Sequence, residues 1–568
     1  MTDLCHIGLR GEVLPTISVS QDLLREFVER VGRKHNIEDL AFRLPLMGTD
    51  IDSCDEKTLE IEIFPDRPDL LSPETLFHGM MPFLHDYPPK PRLNIQPGTI
   101  SMTVSSDLKT IRPVILGAVV RGVSIDDDII KRLMDHQEKL HFALGRGRKR
   151  ASIGVHDLAK IAPPFRVEAV SREYKFTPLA KTQEMTISEI LSEHPKGIDY
   201  AHLLDGMDKV PIILDSNNAV LSFPPIINGD HTTVTTSTRD LFIDVTGLDI
   251  RACESSLMLV CLQLATLGGK VESVRVKTCE GRDWVLDGSP REHHVSREMV
   301  QSILGNSFTD DEIKSAIRRM GGVYNGEDKQ GLSISMPRWR FDILHPIDLV
   351  EEIAIGHGYD DLAYDVPKAP LTGLPRKDGH LRRRIRDALQ GLGLIQIQSL
   401  TLSNDADQFE LMRWKSEGSI TRMTNPITTE HTILRQNILP GLLRLLAANR
   451  HHDLPQAVYE LGTVVIDHHN RDRFAFVVAE NSGGFATLRG RIQAFMRDLG
   501  CGDWSLETIE TGPWLIGRAA NIVVNGTVVG ECGEIDPHVS EAFELNVPMS
   551  GAQFDIHALT GVIEDPVH

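Results

Sequence analysis

Apolar and polar positions alternate in two rhythms along this chain, and the rhythms divide it into segments. Near the start, TISVS (16–20) reads as a strand and QDLLREFVERVGRK (21–34) as an amphipathic helix. TLEIEIF (58–64) alternates with period two, which predicts a second strand. In the turn that follows, two prolines flank Asp66-Arg67; Ser72 can then cap a helix that Pro73 and Glu74 open. DYPPKPRLNIQPG (86–98) is proline-rich and polar and predicts a linker. Beyond it, IRPVILGAVVRGVSI is β-rich and DDDIIKRLMDHQEKLHFALG has helical apolar spacing. GRGRKRASIGVHDL (145–158) reads as a basic, glycine-containing loop, and VPIILDSNNAVLSFPPIINGDHTT as strand, turn, strand and polar turn. Two short helices follow in VSREMVQSILGNSFTDDEIKSAIRRMGG, the second with Thr309 and Glu312 in a capping-box pattern. GLSISMP reads as a strand and KAPLTGLPRKDGH (368–380) as a linker. The remainder alternates helices (LRRRIRDALQGLG, LPGLLRLLAANR) with strands (QAVYELGTVVI, FAFVVAE, AANIVVNGTVVGECGEI).

These segments predict an α+β multidomain protein. The expected units are an N-terminal α/β domain (1–95), an α+β domain (96–287), a small helical-plus-strand domain (288–367) and a C-terminal sheet-and-helix domain (375–568). A length of 568 residues agrees, since roughly 150 residues per domain gives about four. An apolar share of 41% excludes wholesale disorder. The net charge of −20 means that the chain as a whole is no phosphate-binding surface; nucleic acid must meet a local basic patch or a partner. The patch on offer is Arg146, Arg148, Lys149 and Arg150, which otherwise form a solvated loop. No run of 18 apolar residues predicts a membrane span, and MTDLCHIGLRGEVLP lacks the apolar stretch of a signal peptide. Seven scattered cysteines without a Cys-x-x-Cys pair suit a reducing cytosol and argue against structural zinc.

Asp342, Asp348, Glu351 and Glu352 fall within eleven residues, and Pro346 starts a helix that puts the last three on one face. Four converging carboxylates without His or Cys would suit Mg²⁺ before Zn²⁺. Acidic residues at a helix start also simply complement its dipole, and Arg338-Trp339-Arg340 just upstream would equally suit a surface salt-bridge network. Spacing does not decide between them.

Taken together, FPDRPDLLSPE (64–74), QEKLHFALGRGRKRASIGVHDL (137–158), LDSNNAVLSFPPIINGDHTTVTTSTRDLFIDVTGLD (214–249), PRWRFDILHPIDLVEEIAIGHGYD (337–360), NPITTEHTILRQNILPGLL (425–443) and GRAANIVVNGTVVGECGEIDPHV (517–539) resemble the phenylalanyl-tRNA synthetase β-subunit family in its shorter archaeal and eukaryotic form. The six run in family order and cover nearly all of the chain; one departure is Asp66 where the family usually has Asn. The resemblance associates Asp342, Asp348, Glu351 and Glu352 with Mg²⁺. It also implies that the C-terminal domain is a class II synthetase fold without activity, because the strand QAVYELG (456–462) carries no arginine before Glu460 and none follows the glycines of GECGEIDPHVSEAF. Aminoacylation would then belong to an α subunit that uses ATP and phenylalanine, in an α2β2 heterotetramer acting on phenylalanine tRNA in the cytoplasm. Its helical contacts would be LRRRIRDALQGLG and LPGLLRLLAANR. The 96–287 domain is implied to hydrolyse tyrosine mischarged onto that tRNA, a task that suits a second site able to hydrogen-bond the extra hydroxyl. Asp230 and His231, in the polar turn Asn228–His231, are candidates for water or ribose contacts, and Asp244 stands where the family usually carries a tyrosine-recognising glutamate. Each has a plainer reading, as turn cap or strand-edge carboxylate. The competing function is a free-standing tRNA-binding or trans-editing protein without an α partner.

Overall fold

The computed structural model describes residues 15–363, 373 and 378–563. It separates into two compact units, residues 1–366 and 367–568. The predicted linker at 368–380 lies almost wholly outside the described residues.

The first unit opens with a three-stranded antiparallel sheet in the order Thr16–Ser20, Thr58–Ile63, Thr49–Cys54. All its pairs are antiparallel, so this segment is α+β where the sequence reading expected α/β. Helix Pro73–His85 starts as its sequence predicts, with Ser72 and Thr75 forming a reciprocal capping box. No boundary falls at residue 95. The proline-rich stretch supplies strand Ile95–Gln96, which pairs in parallel with Lys270–Ser273, and one apolar core runs from Ile17 through Leu93 to Leu264. A polar, proline-rich composition marks an edge strand as readily as a linker.

Two further sheets form the middle of this unit. One has five strands in the order Ile95–Gln96, Lys270–Ser273, Val114–Arg121, Leu241–Gly247, Ala151–Asp157. The other has seven and includes Phe165–Ser171, Lys209–Leu214 and Val220–Phe223. The segment 145–158 is thus half loop and half strand, Ala151–Asp157 lying at one edge of the five-stranded sheet and pairing along its length with Leu241–Gly247. Its residues Ala151–Gly154 are buried, as befits a strand packed on both faces. Helix Asp127–Ala143, capped by the Asp126 carboxylate on the Ile129 amide, lies over this sheet. The last part of the unit is a three-stranded antiparallel sheet (Arg291–Val295, Gly331–Met336, Val323–Asp328) with helices Arg297–Leu304, Asp310–Arg319 and Pro346–His357. Thr309 and Glu312 cap the second of these reciprocally, as their spacing predicts.

The second unit is built on a seven-stranded sheet. Its order is Ile395–Gln396, Gln456–Ile466, His469–Ala479, Met549–Asp555, Thr527–Ile535, Trp514–Val524, Trp504–Thr508. Every pair is antiparallel except that of Ile395–Gln396. Helices Gly379–Gly391 and Phe485–Asp498 bury Ile385, Leu389, Ile492 and Phe495 against one face; helix Leu439–Ala448 buries Leu439, Leu442 and Leu443 in a second cluster. Among the described residues no helix is long and apolar enough to cross a membrane.

Candidate functional site

Helix Asp127–Ala143, the strand Ala151–Asp157 and the loops at 179–180 and 222–234 enclose a cavity of about 520 Å³. That is the size of a small-ligand pocket. Most of the wall is apolar, with Leu133, Met134, Phe223, Pro225, Ile226 and Val234 among its residues. Two carboxylates line it, Glu138, which is paired with Arg148, and Asp244, which is 2% exposed.

The sheet register explains how a carboxylate comes to lie there. Asp244 stands directly across from Gly154, and Phe242 across from His156, so Asp244 and His156 are diagonal neighbours. Nε2 of His156 is 2.7 Å from Oδ2 of Asp244, and Nδ1 is 2.9 Å from the Thr232 hydroxyl. The Thr232 hydroxyl in turn reaches the Gly229 carbonyl at 2.9 Å. Gly154 is required for this arrangement. A Cβ on it would overlap the Asp244 carboxylate and lie 2.9 Å from Nε2 of His156. Glycine inside a strand here marks a close side-chain crossing. His156 is fully buried and stacks beside Phe242 with ring centroids 6.0 Å apart.

Arg112 is buried behind this wall. It donates to the Thr246 hydroxyl (2.8 Å), the Thr246 carbonyl (2.7 Å), the Ser152 hydroxyl (3.1 Å) and the Arg148 carbonyl (3.0 Å). Burial pulls its guanidinium down to about 10, against the opposing attraction of the nearby Cys253 and Asp244. Helix Asp127–Ala143 is locked to the strand at Ile153, whose amide donates to Nε2 of His141 (2.8 Å) and whose carbonyl accepts from Gln137 (2.6 Å).

The predicted residues separate. Asp244 lies in the cavity wall. Asp230 does not: its Oδ1 accepts from the Ala180 amide (3.0 Å) and its own amide donates to the Thr177 carbonyl (3.1 Å), so it braces the loop that forms one rim. His231 is exposed and outside the lining. Of the four basic residues, Arg146 and Lys149 are exposed. Arg148 is not a surface contact. It donates to Glu138 (2.7 Å) and to the carbonyls of Pro225 and Ile226 (3.3 and 3.0 Å), and lies over the Tyr200 ring at 4.2 Å. Arg148 and His141 hold the Glu138 carboxyl at about 2 although burial opposes them. Arg150 is paired with Asp249. His156, Thr232, Gly154 and Arg112 were missed; the glycine two residues before a histidine in an apolar strand was the one available signal.

The carboxylate cluster takes a different form from the one its spacing implies. Arg340 lies between two of its members. It grips Asp342 at 2.9 and 2.5 Å and Glu352 at 2.8 and 2.5 Å, and both Arg340 and Glu352 are under 5% exposed. Arg67 and Asp69 form a second buried bidentate pair at 2.9 and 3.0 Å, and the Arg67 charge acts on Glu352. One oxygen of Asp348 accepts from the amides of Leu344 and His345, both at 2.6 Å. Glu351 is exposed; burial and the neighbouring Asp66, Asp348 and Asp342 raise its carboxyl. Among the described residues, no three metal-ligating side chains converge on one point. The donors therefore do not fit a four-carboxylate Mg²⁺ cage, because arginine already supplies the positive charge. The expected salt-bridge alternative is nearer, although the network is buried.

In the second unit, Glu460 is fully buried, paired with Arg435 (2.7 Å) and accepting a hydrogen bond from the Ser399 hydroxyl (2.6 Å).

Comparison with known proteins decides what this framework is. Residues 103–259 match the B3/4 domain family, 293–359 the tRNA synthetase B5 domain and 362–556 the phenylalanyl tRNA synthetase beta chain CLM domain. The phenylalanine–tRNA ligase β subunit of Archaeoglobus fulgidus is 39% identical over 518 residues, covering 91% of this chain and 94% of that protein. The chain belongs to the phenylalanine–tRNA ligase β-subunit family. Its relative from Methanothrix thermoacetophila is 38% identical over 548 residues, 96% of this chain and all of the other. A solved N-terminal fragment of the phenylalanyl-tRNA synthetase β subunit from Pyrococcus horikoshii covers 61% of this chain and all of that fragment, with a TM-score of 0.56 and 32% identity. In this β subunit the cavity lies wholly within the stretch matched by the B3/4 family.

Proposed function

We propose that this chain is the β subunit of a cytoplasmic phenylalanine–tRNA ligase and that its own chemistry is removal of tyrosine from phenylalanine tRNA. The supporting observation is the apolar cavity with a single buried carboxylate in its wall, Asp244. An aromatic ring fits the apolar surface, and the carboxylate accepts a hydrogen bond from a phenol. Phenylalanine offers no such donor, so it adds nothing to the one hydrogen bond the carboxylate has from His156. Hydrolysis adds a water oxygen to the acyl carbon and breaks its bond to the ribose oxygen, which takes up a proton. Tyrosine leaves as a carboxylate with release of one proton.

Charging itself is assigned to an α subunit, which binds ATP and phenylalanine, in an α2β2 assembly. The Glu460–Arg435 pair supports this division. The strand of Glu460 carries no arginine toward a nucleotide, and the one beside it is spent on neutralising the acid. Arg146 and Lys149 are the exposed cations offered to tRNA. Mg²⁺ at Asp342, Asp348, Glu351 and Glu352 is left out of this proposal for the chain by itself. The test is Asp244→Asn in the αβ complex. Deacylation of tyrosyl ester on phenylalanine tRNA should fall by about 10² or more while aminoacylation persists; an unchanged deacylation rate refutes the assignment.

A further inference from the structure

We propose that His156 is the positioning residue of this cavity, setting the orientation of Asp244 and hence the selection of a phenol. The inference rests on the reading of the cavity as a tyrosyl-ester hydrolase site and adds a residue to it.

The geometry is specific. The Asp244 carboxylate is buried, and among the described residues its only side-chain hydrogen bond is from Nε2 of His156 to Oδ2. Oδ1 carries no hydrogen bond to any described residue, and Asp244 is one of the residues that line the cavity. A carboxylate on a single Cβ–Cγ axis can rotate; one fixed oxygen stops it. With Nε2–H donating to Asp244, Nδ1 is an acceptor; the Thr232 hydroxyl lies 2.9 Å from it, and its one proton is shared between Nδ1 and the Gly229 carbonyl. Thr232 lines the same cavity, so one ring fixes two wall groups at once. His156 itself does not line the cavity and acts through its neighbours. Gly154 completes the device, because the space a Cβ would need is taken by the Asp244–His156 pair.

The two ring nitrogens can be tested separately. Glutamine places its amide nitrogen where Nε2 stands, and asparagine places its own nearer Nδ1. In the αβ complex, His156→Ala should lower kcat/KM for tyrosyl ester on phenylalanine tRNA by about 10- to 100-fold, the worth of one hydrogen bond to a buried charge. His156→Gln should recover most of this loss, and His156→Asn should not. The ratio of tyrosyl to phenylalanyl ester hydrolysis should fall in the alanine and asparagine variants and return in the glutamine variant. A purely structural role would not sort the variants by which nitrogen they keep. Thermal midpoints and aminoacylation rates measured on the same preparations report folding. The inference is overturned if His156→Ala hydrolyses tyrosyl ester at the wild-type rate, or if a folded His156→Gln is as slow as His156→Ala. If the wild-type complex shows no tyrosyl-ester hydrolysis, the reading of the cavity fails and the inference with it; hydrolysis that Asp244→Asn abolishes but His156 variants leave alone overturns this inference only.

Discussion

Replacing Arg340 by methionine isolates the question of what balances the carboxylate cluster. Methionine keeps most of the volume and removes the charge and all five hydrogen bonds to Asp342 and Glu352. Glu352 is 3% exposed, and its side chain would keep no partner except the Arg67 charge nearby. Breaking a buried pair by removing one member costs about 3–5 kcal/mol, because an uncompensated charge remains in the interior. Relieving the acids as well, with Asp342→Asn and Glu352→Gln added to Arg340→Met, should recover more than half of that loss. Urea unfolding of the full chain, followed by tryptophan fluorescence, reads the effect close to its origin, since buried Trp339 adjoins Arg340. The cation question enters the same titration. The wild-type chain should show no difference between Mg²⁺ and EDTA. The Arg340→Met chain, with its acids exposed to one another, should gain about 1.4 kcal/mol when Mg²⁺ stands at ten times its dissociation constant. Stabilisation of the wild-type chain by Mg²⁺, or a loss of under about 1 kcal/mol in Arg340→Met, would refute the argument.

Three other outcomes are expected. Burial holds His136, fully enclosed, near pH 4 against its ordinary 6.5; its stabilising share is therefore complete above pH 6.5 and is lost as pH falls toward 4, roughly 3 kcal/mol over that window. Stability in urea at successive pH values should show this slope, and His136→Gln should flatten it. Gly154→Ala should lower stability by about 1–3 kcal/mol through overpacking and abolish tyrosyl-ester hydrolysis, whereas Gly490→Ala, in helix Phe485–Asp498 with nothing within 4 Å, should leave hydrolysis intact. Arg146→Ala with Lys149→Ala should weaken binding of phenylalanine tRNA and reduce the salt dependence of log K by about 0.9 per lost phosphate contact; Arg148→Ala should instead unfold or loosen the cavity and leave that salt slope unchanged.

What the sequence disclosed follows from how local each signal is. Helix Asp310–Arg319 was legible because its cap is four residues long, Thr309 to Glu312. Strand Gln456–Ile466 was legible to the residue, since six of the eleven positions in QAVYELGTVVI are β-branched or aromatic. The strand Ile95–Gln96 was not, because its partner Lys270–Ser273 lies more than 170 residues away and its own composition is that of a linker. The strand Ala151–Asp157 was read as loop because the basic run just before it dominated its appearance.

The site was harder, and for one physical reason. A sequence shows how many charges a segment carries and hides which of them are already paired. Arg148, read as a nucleic-acid contact, spends itself on Glu138, two carbonyls and a tyrosine ring. Asp342 and Glu352, read as metal ligands, are held by the arginine that precedes them. Glu460 is held by Arg435, and Asp230 by an amide of the adjoining loop. Each of these charges already has partners within the protein that its sequence context does not reveal. Asp244 differs in kind. Its one side-chain partner is a histidine ring, its second oxygen has none among the described residues, and the surface beside it is an apolar cavity. A carboxylate oxygen that no described residue engages, in the wall of a cavity, is free to accept a hydrogen bond from whatever occupies that cavity. Among the charged residues that the sequence singled out, Asp244 is therefore the one whose structure still calls for a ligand, and a phenol supplies the missing donor.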